Sequence, residues 1–342
     1  MMTGFSNMFK AELYKLAKLK SLAKILIAII IIFVVATLLY SLIYGLVGGM
    51  EIIQQEGEIT QETIDALEQE YAEYKAYYDQ EKPTLQMRDT TLYNIKAQIT
   101  LYKYMNENGL NFSKVGIFNS LASISANAYI EFIMSVMMLA IGVYATVSII
   151  RSLAGERAQG TLKMQLLRPI SKDAMLAAKF LAVLVVSFGL FVLTTVIAGV
   201  VGVIAYDVDS RSVLAIVNAE SVVRMSPFVA LLINFVYYSM ELFAYISLGL
   251  FLSTTIKKNE ALPIALAMII MFIGQAIEAT LGYIFVGYAG FMVNLEWINA
   301  LTANGPAINH MNLYSMLGIS FAWVIGMLIT SIFSFRNAEI HT

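Results

Sequence analysis

Long apolar runs alternate with shorter polar segments along this chain of 342 residues. A helix needs about 20 apolar residues to cross the hydrocarbon core of a bilayer, and each run is long enough to do so. The pattern therefore predicts an all-α membrane protein with six transmembrane helices. The predicted spans are 25–49, 126–150, 173–206, 227–255, 261–290 and 310–335.

The first 24 residues combine apolar side chains at helical spacing with five lysines. This pattern predicts an amphipathic helix over 1–24 that lies at the membrane interface. A signal peptide is the alternative, but the apolar run that follows is too long for one and has no A-x-A cleavage site. The other polar segments are predicted to be an outer loop at 207–226, an inner turn at 256–260, an outer segment at 291–309 that contains Trp297, and a tail at 336–342.

The longest polar segment follows the first span. Residues 51–115 contain twelve acidic and six basic residues. Two apolar stripes recur there at helical spacing, and each would pack against the other. We predict an extracellular helical hairpin within 50–125, with Asn108 and Gly109 ending its second helix. Packing is the expected role of its tyrosines, and ligand binding is the alternative. The stripes are Ile64, Leu67, Tyr71, Tyr74 and Tyr78, then Leu92, Ile95, Ile99 and Tyr102.

Composition supports a multi-pass membrane protein. Hydrophobic residues make up 59% of the chain and charged residues 13%, and the mean hydropathy is +0.72. A net charge of −2 without a basic tail argues against nucleic-acid binding. Cysteine is absent, which excludes disulfides and thiolate metal sites.

Charge distribution predicts the orientation. Fourteen of the 22 lysines and arginines fall on the predicted inner side, and six of the other eight lie in the long 51–115 segment. Charge in a segment of that length has little influence on orientation. We therefore expect a cell-membrane protein with both termini in the cytoplasm.

The segment 151–172 is polar and basic, and it lies between two apolar spans. Leu162, Leu166 and Leu167 recur at helical spacing, which predicts a short amphipathic helix that Pro169 ends. Ser171 is a suitable N-cap for the next span. An ordinary cytoplasmic loop is the alternative interpretation, because such loops are also basic.

A family resemblance favours a more specific interpretation. The segment contains a glutamate, a Gly-Thr-Leu triplet, paired leucines, a Pro-Ile-Ser triplet and a lysine in the order and spacing of the signature of ABC-2 type transporter permeases. In that family the signature also lies between the second and third spans. The matching residues are Glu156, Gly160, Thr161, Leu162, Leu166, Leu167, Pro169, Ile170, Ser171 and Lys179.

The resemblance implies a function and partners. The chain would be the permease subunit of an ABC exporter, paired with a second permease copy or homologue and with two copies of an ATPase subunit. The ATPase, rather than this chain, would bind ATP and Mg²⁺. The residues expected to couple to it are Glu156, Arg157, Gly160, Thr161, Leu162, Leu166 and Pro169. An amphipathic peptide, an antimicrobial compound or a lipid-like molecule is the expected substrate, moved outward.

Catalytic motifs are missing from the chain. It has no GxxxxGK[ST] loop, no HExxH and no GxSxG, so we expect no enzyme activity, no cofactor and no metal site here. Glu241 lies near the middle of a span, where a carboxylate facing lipid is costly. It belongs either to the transport path or subunit interface, or to a structural hydrogen bond with a neighbouring helix.

A function of another class remains open from the residues alone. The chain could be an ATP-independent secondary transporter, or a scaffold whose extracellular hairpin binds a partner. Secondary transporters usually contain internal repeats and paired ionisable residues at the membrane midplane. No clear repeat is visible, and Glu241 has no obvious basic partner in the spans. Membrane lipid is expected around the spans in either case.

Overall fold

The fold is mostly helical, as predicted. The computed structural model describes residues 2–47, 59–81, 85–119, 125–162, 170–257, 259–282, 290–302, 305 and 312–337. The first elements are α1 (Met2–Ala17), α2 (Leu19–Val47), α3 (Gln61–Glu81), α4 (Leu85–Glu107), β1 (Val115–Ile117), α5 (Ala126–Ile150) and α6 (Glu156–Ala158). The remaining elements are α7 (Lys172–Ala205), β2 (Ser212–Val217), β3 (Ser221–Met225), α8 (Pro227–Thr255), α9 (Ala261–Gly282), α10 (Phe291–Leu295) and α11 (Leu313–Arg336).

Among the residues that the structure describes, five helices are long and apolar enough to cross a membrane. Within the described residues a shorter apolar stretch, Ala261–Gly274, lies in α9. The predicted polytopic all-α architecture is therefore confirmed, while a sixth span remains a prediction. The bounds of α5, α7 and α8 agree with three predicted spans to within one residue. The five helices are Ala23–Ile43, Ala126–Ala158, Lys172–Ala205, Pro227–Thr255 and Leu313–Arg336.

Helix α5 is the centre of the helical bundle. It is apolar on all sides, and it packs most extensively on α7 and α8. Such a helix is stable only when other helices surround it or when lipid covers the remainder. Helix α2 is the contrasting case, since only one stripe, Ile29, Ala36 and Tyr40, is buried among those of its residues whose side chains the structure describes.

The N-terminal segment divides earlier than expected. Helix α1 ends at Ala17 and α2 begins at Leu19, so the boundary lies at Lys18 rather than at residue 24. Helix α1 packs against α7. Its contact face includes Met8 and, unexpectedly for an interfacial helix, the buried carboxylate residue Glu12.

A three-stranded sheet was not predicted. Strand β1 follows the α3–α4 hairpin and pairs in parallel with β2, and β2 pairs antiparallel with β3. The segment predicted as the loop 207–226 is thus a β-hairpin. Because the sheet joins the connection after α2 to the connection after α7, both connections lie at the same end of the bundle. We call α3, α4 and the sheet the outer domain, after the position predicted for this part of the chain.

The sheet forms a layer between α4 and the ends of the membrane helices. Leu214 and Ile216 on β2 pack with Tyr93 and Leu101 of α4. The alternating residue Ala215 belongs to a second cluster, which includes Trp297 and Met316. Alternation along a strand sends successive side chains to opposite faces, so β2 contributes to both cores.

Helix α4 accordingly has two apolar faces rather than one. Helices α3 and α4 pack on each other, as predicted. Of the predicted stripes, Ile64, Tyr78 and Ile95 are buried. The second face packs toward the sheet and consists of Tyr93, Ala97, Leu101 and Met105, four residues apart.

Local signals at the helix ends are confirmed. Helix α4 ends at Glu107, and Gly109 adopts a left-handed φ of 60° as a helix C-cap glycine does. The Ser171 hydroxyl accepts a hydrogen bond from the Ala174 amide at 3.2 Å at the start of α7.

Trp297, expected at the membrane interface, is buried and packs edge-on against Tyr237 with ring centroids 5.4 Å apart.

Candidate coupling site

The second membrane helix continues well beyond the bilayer core. After Ile150 the chain makes a π-helical turn, Arg151–Gly155, and then forms α6. The continuous helical stretch Ala126–Ala158 has 33 residues. At 1.5 Å per residue it is about 50 Å long, whereas the hydrocarbon core is about 30 Å thick. One end of this helix therefore extends past the membrane core, and the signature residues lie at that end.

A tight turn follows α6. Gly160 has φ +72°, a left-handed conformation that favours glycine, and a Cβ at this position would meet no atom within 4 Å. Ala158, Gln159 and Gly160 are exposed. Thr161 donates a hydrogen bond from its hydroxyl to the Glu156 carbonyl oxygen at 3.2 Å, and Leu162 is buried in the main core. The exposed tip is thus held on both sides by packed residues.

Glu156 belongs to a network of four charges, in which Glu12 and Lys179 are buried and Lys15 is exposed. Its carboxylate accepts hydrogen bonds from Lys179 Nζ at 2.7 Å and from Lys15 Nζ at 2.9 Å. The Glu12 carboxylate accepts from the same two ammonium groups, at 3.0 Å and 2.9 Å. The Lys179 side chain is fully buried. Two acids and two bases thus satisfy each other, and they join α1, α6 and α7.

The network also affects Lys15. Partial burial lowers the pKa of its ammonium group, but hydrogen bonds and charge attraction from Glu156 and Glu12 outweigh that effect and raise the pKa above its ordinary value. Lys15 is therefore charged at neutral pH. Both ammonium groups are needed to balance the two carboxylates.

Arg157 ties the same segment to α8. Its guanidinium donates to the Ser253 carbonyl oxygen at 3.4 Å and to the Ile256 carbonyl oxygen at 3.5 Å. Carbonyl groups at a helix C-terminus have no partner within the helix and carry partial negative charge, so a cation there is favourable. Glutamate and arginine thus connect adjacent positions of α6 to different helices.

A further ion pair closes the same end of the bundle. Arg336, at the end of α11, donates from Nε to the Asp173 carboxylate at 2.7 Å, and Lys172 donates to the Arg336 carbonyl oxygen at 2.9 Å. Helices α7 and α11 are therefore joined where α7 begins. This contact lies outside the signature and was not predicted.

Glu241 is buried within α8. The Tyr245 hydroxyl donates to its carboxylate at 2.7 Å, one turn further along the helix. Tyr237 lies one turn before it and is also buried. This hydrogen bond joins two residues of α8. The structural role considered from the sequence was instead a hydrogen bond to a neighbouring helix.

The structure thus gathers most of the predicted coupling residues. Glu156, Arg157, Gly160, Thr161 and Leu162 lie at one end of the bundle, whereas Leu166 and Pro169 lie outside the described residues. Glu12 and Lys15 were missed. One signal was available, because Glu12 falls between Met8 and Leu16 on the apolar stripe of α1. No group of three acidic or histidine side chains within the described ranges could hold a metal ion.

These features define a multi-pass membrane protein whose second span ends in a signature segment anchored to three helices. A family model described as "ABC-2 family transporter protein" matches residues 20–340, nearly the whole chain. The chain therefore belongs to the ABC-2 family, as a permease of an ABC transporter. A comparison with curated proteins gave no match. Permeases of this family are transmembrane subunits that are generally not catalytic and normally work with an ATPase subunit.

Proposed function

We propose that this permease couples to a separate ABC ATPase through the exposed tip formed by Ala158, Gln159 and Gly160. The observation that carries the proposal is the anchoring of this tip. Glu156 and Arg157 directly precede it and bind Lys179 on α7 and the carbonyl groups at the end of α8. A push on the tip would therefore reach both helices without passing through a flexible loop.

The proposed mechanism is rigid-body gating. Two ATPase subunits, which bind ATP and Mg²⁺, close on each other and displace the tips of two permease copies. Helices α5, α7 and α8 then tilt together because ion pairs and hydrogen bonds join them. Such a movement switches a helical bundle between two packed arrangements, and it opens the path to the outside.

The cargo is proposed from chemistry alone. We assign an amphipathic peptide, an antimicrobial compound or a lipid-like molecule, exported across the cell membrane with both termini of the permease in the cytoplasm. Glu241 would line the path or the interface between two permease copies. Its hydrogen bond to Tyr245 gives a buried carboxylate a partner in either position.

A pull-down tests the docking surface. Gln159→Trp places a bulky side chain on the exposed tip, and Gln98→Trp makes the same change at an exposed position of α4 in the outer domain. Wild type and Gln98→Trp should co-purify an ATPase from detergent-solubilised native membranes, identified by mass spectrometry and ATP hydrolysis, whereas Gln159→Trp should lose it. If the Gln159→Trp protein retains the ATPase at the wild-type level, the tip is not the docking surface. If no ATPase accompanies wild type, the ATP-independent alternative gains support.

A further inference from the structure

A cavity opens beside the four-charge network. It has a volume of about 560 Å³ and lies between α1, α2, α5 and α7. Apolar side chains form much of its wall, including Ile25, Val143, Val147 and Val183. Volumes of 300 to 1,000 Å³ with mainly apolar walls and a few polar groups are typical of ligand sites.

The polar rim has an excess of positive charge. Four basic residues and two acidic residues line the cavity, a difference of two. Both acids are neutralised by Lys15 and Lys179 in the network described above. The two remaining bases are Lys24 and Arg151, which are both exposed. Within the described ranges, no carboxylate lies within ion-pair distance of either one.

The position of the cavity indicates which kind of ligand fits it. Lys24 is the second residue of the apolar span Ala23–Ile43, and Arg151 follows α5 directly, so both lie at the end of membrane helices. The walls below them are apolar and belong to those helices. A ligand that fits must therefore place negative charge at the membrane surface and hydrocarbon within the bilayer. Basic pockets between transmembrane helices bind anionic lipid headgroups by this arrangement.

We propose that this cavity is a binding site for an anionic glycerophospholipid. The phosphate contacts Lys24 and Arg151, and one acyl chain lies along Val143, Val147 and Val183. Bound there, the lipid contacts α2, α5 and α7 at once and lies directly beside Glu156. The site does not depend on the docking of an ATPase, since it requires only that the helices lie in a membrane.

Native mass spectrometry of the delipidated full-length protein tests the site. Phosphatidylglycerol is the anionic probe, and phosphatidylethanolamine is the zwitterionic comparison. Removing one basic residue near an anionic headgroup weakens binding by about fivefold. The double variant Lys24→Gln, Arg151→Gln should therefore weaken phosphatidylglycerol binding by about 25-fold if the two effects add. Phosphatidylethanolamine should bind more weakly to wild type.

Two further variants keep the test specific. Lys10→Gln, Lys257→Gln removes two exposed charges that do not line the cavity, and it should change binding less than twofold. Val147→Phe fills the apolar wall without altering charge, and it should also weaken binding. Equal weakening by the Lys10 and Lys257 pair would overturn the proposal, because binding would then follow overall charge. Equal retention of phosphatidylethanolamine by wild type, or unchanged binding by Val147→Phe, would overturn it as well.

Discussion

Lys179 is the residue of the coupling site whose replacement should change the electrostatics of that site most. Its ammonium group is fully buried and lies within 3.0 Å of two carboxylates. Bringing three charges together in a buried place is costly unless each is compensated. The network is therefore better described as a neutral unit of four groups than as a set of separate ion pairs.

Replacing Lys179 should be strongly destabilising. Lys179→Met leaves Glu12 and Glu156 to share Lys15, and breaking a buried pair in this way costs about 3–5 kcal/mol of unfolding free energy. The double variant Glu12→Gln, Lys179→Met removes one charge of each sign, so it should cost less than the sum of the two single variants. Denaturant unfolding in mixed micelles measures these differences.

The control for this prediction is Lys10→Met, at an exposed position of the same helix α1. Surface substitutions of this kind usually change stability by less than about 0.5 kcal/mol. Additive costs of Glu12→Gln and Lys179→Met would contradict the interpretation of the network as one unit.

At the scale of elements, Gly249 lies at a close approach of α8 to α5. A Cβ on Gly249 would lie 2.7 Å from Ile149 Cγ2 and 3.1 Å from the Thr146 carbonyl oxygen. Small residues let membrane helices approach closely. The same pair of helices is joined by a hydrogen bond from the Thr146 hydroxyl to the Tyr245 carbonyl oxygen at 3.2 Å.

Gly249→Ala should therefore loosen the centre of the bundle. Overpacking a close contact costs about 1–3 kcal/mol, and the backbone oxygen of Thr146 cannot move aside as a side chain could. Gly189→Ala on α7 is the matched control, because a Cβ there meets no atom within 4 Å. We expect the control to be neutral or slightly stabilising. Thermal unfolding of the two purified variants distinguishes them, and equal midpoints would count against the tight contact.

The elements differ in how well the sequence predicts their bounds and their packing partners. Long apolar runs specify membrane helices because length and composition suffice, and Ser171 and Gly109 mark helix ends through local chemistry. The second face of α4 was missed because its partner strand begins about a hundred residues later in the chain. Likewise, nothing near Glu12 in the sequence points to Lys179, since only packing of α1 on α7 brings them together.

At the scale of the whole molecule, the outer domain is built from two distant connections. Leu214 on β2 is fully buried against α4, which belongs to the earlier connection. Leu214→Asp would place a carboxylate without a partner in that core, at a cost of several kcal/mol. Amide exchange across α4 should then increase by at least about tenfold, since local opening free energy sets the exchange rate.

Val223→Asp is the control for this measurement. Val223 lies on the adjacent strand β3 and is 46% exposed, so its replacement should leave exchange in α4 near the wild-type rate. Hydrogen exchange followed by mass spectrometry reports both variants in detergent. Unchanged exchange in α4 of the Leu214→Asp protein would show that the sheet does not stabilise the hairpin.

The parallel pairing of β1 with β2 also delays the formation of the sheet during synthesis of the chain. Val115 pairs with Ser212, so β1 leaves the ribosome 97 residues before its partner. At about 5–20 residues per second, that interval lasts roughly 5 to 20 seconds. Two membrane helices must be inserted during this time while the apolar face of α4 remains uncovered. The nascent chain therefore passes through a period in which the uncovered apolar face of α4 favours aggregation, and a chaperone that shields this face would act during that period.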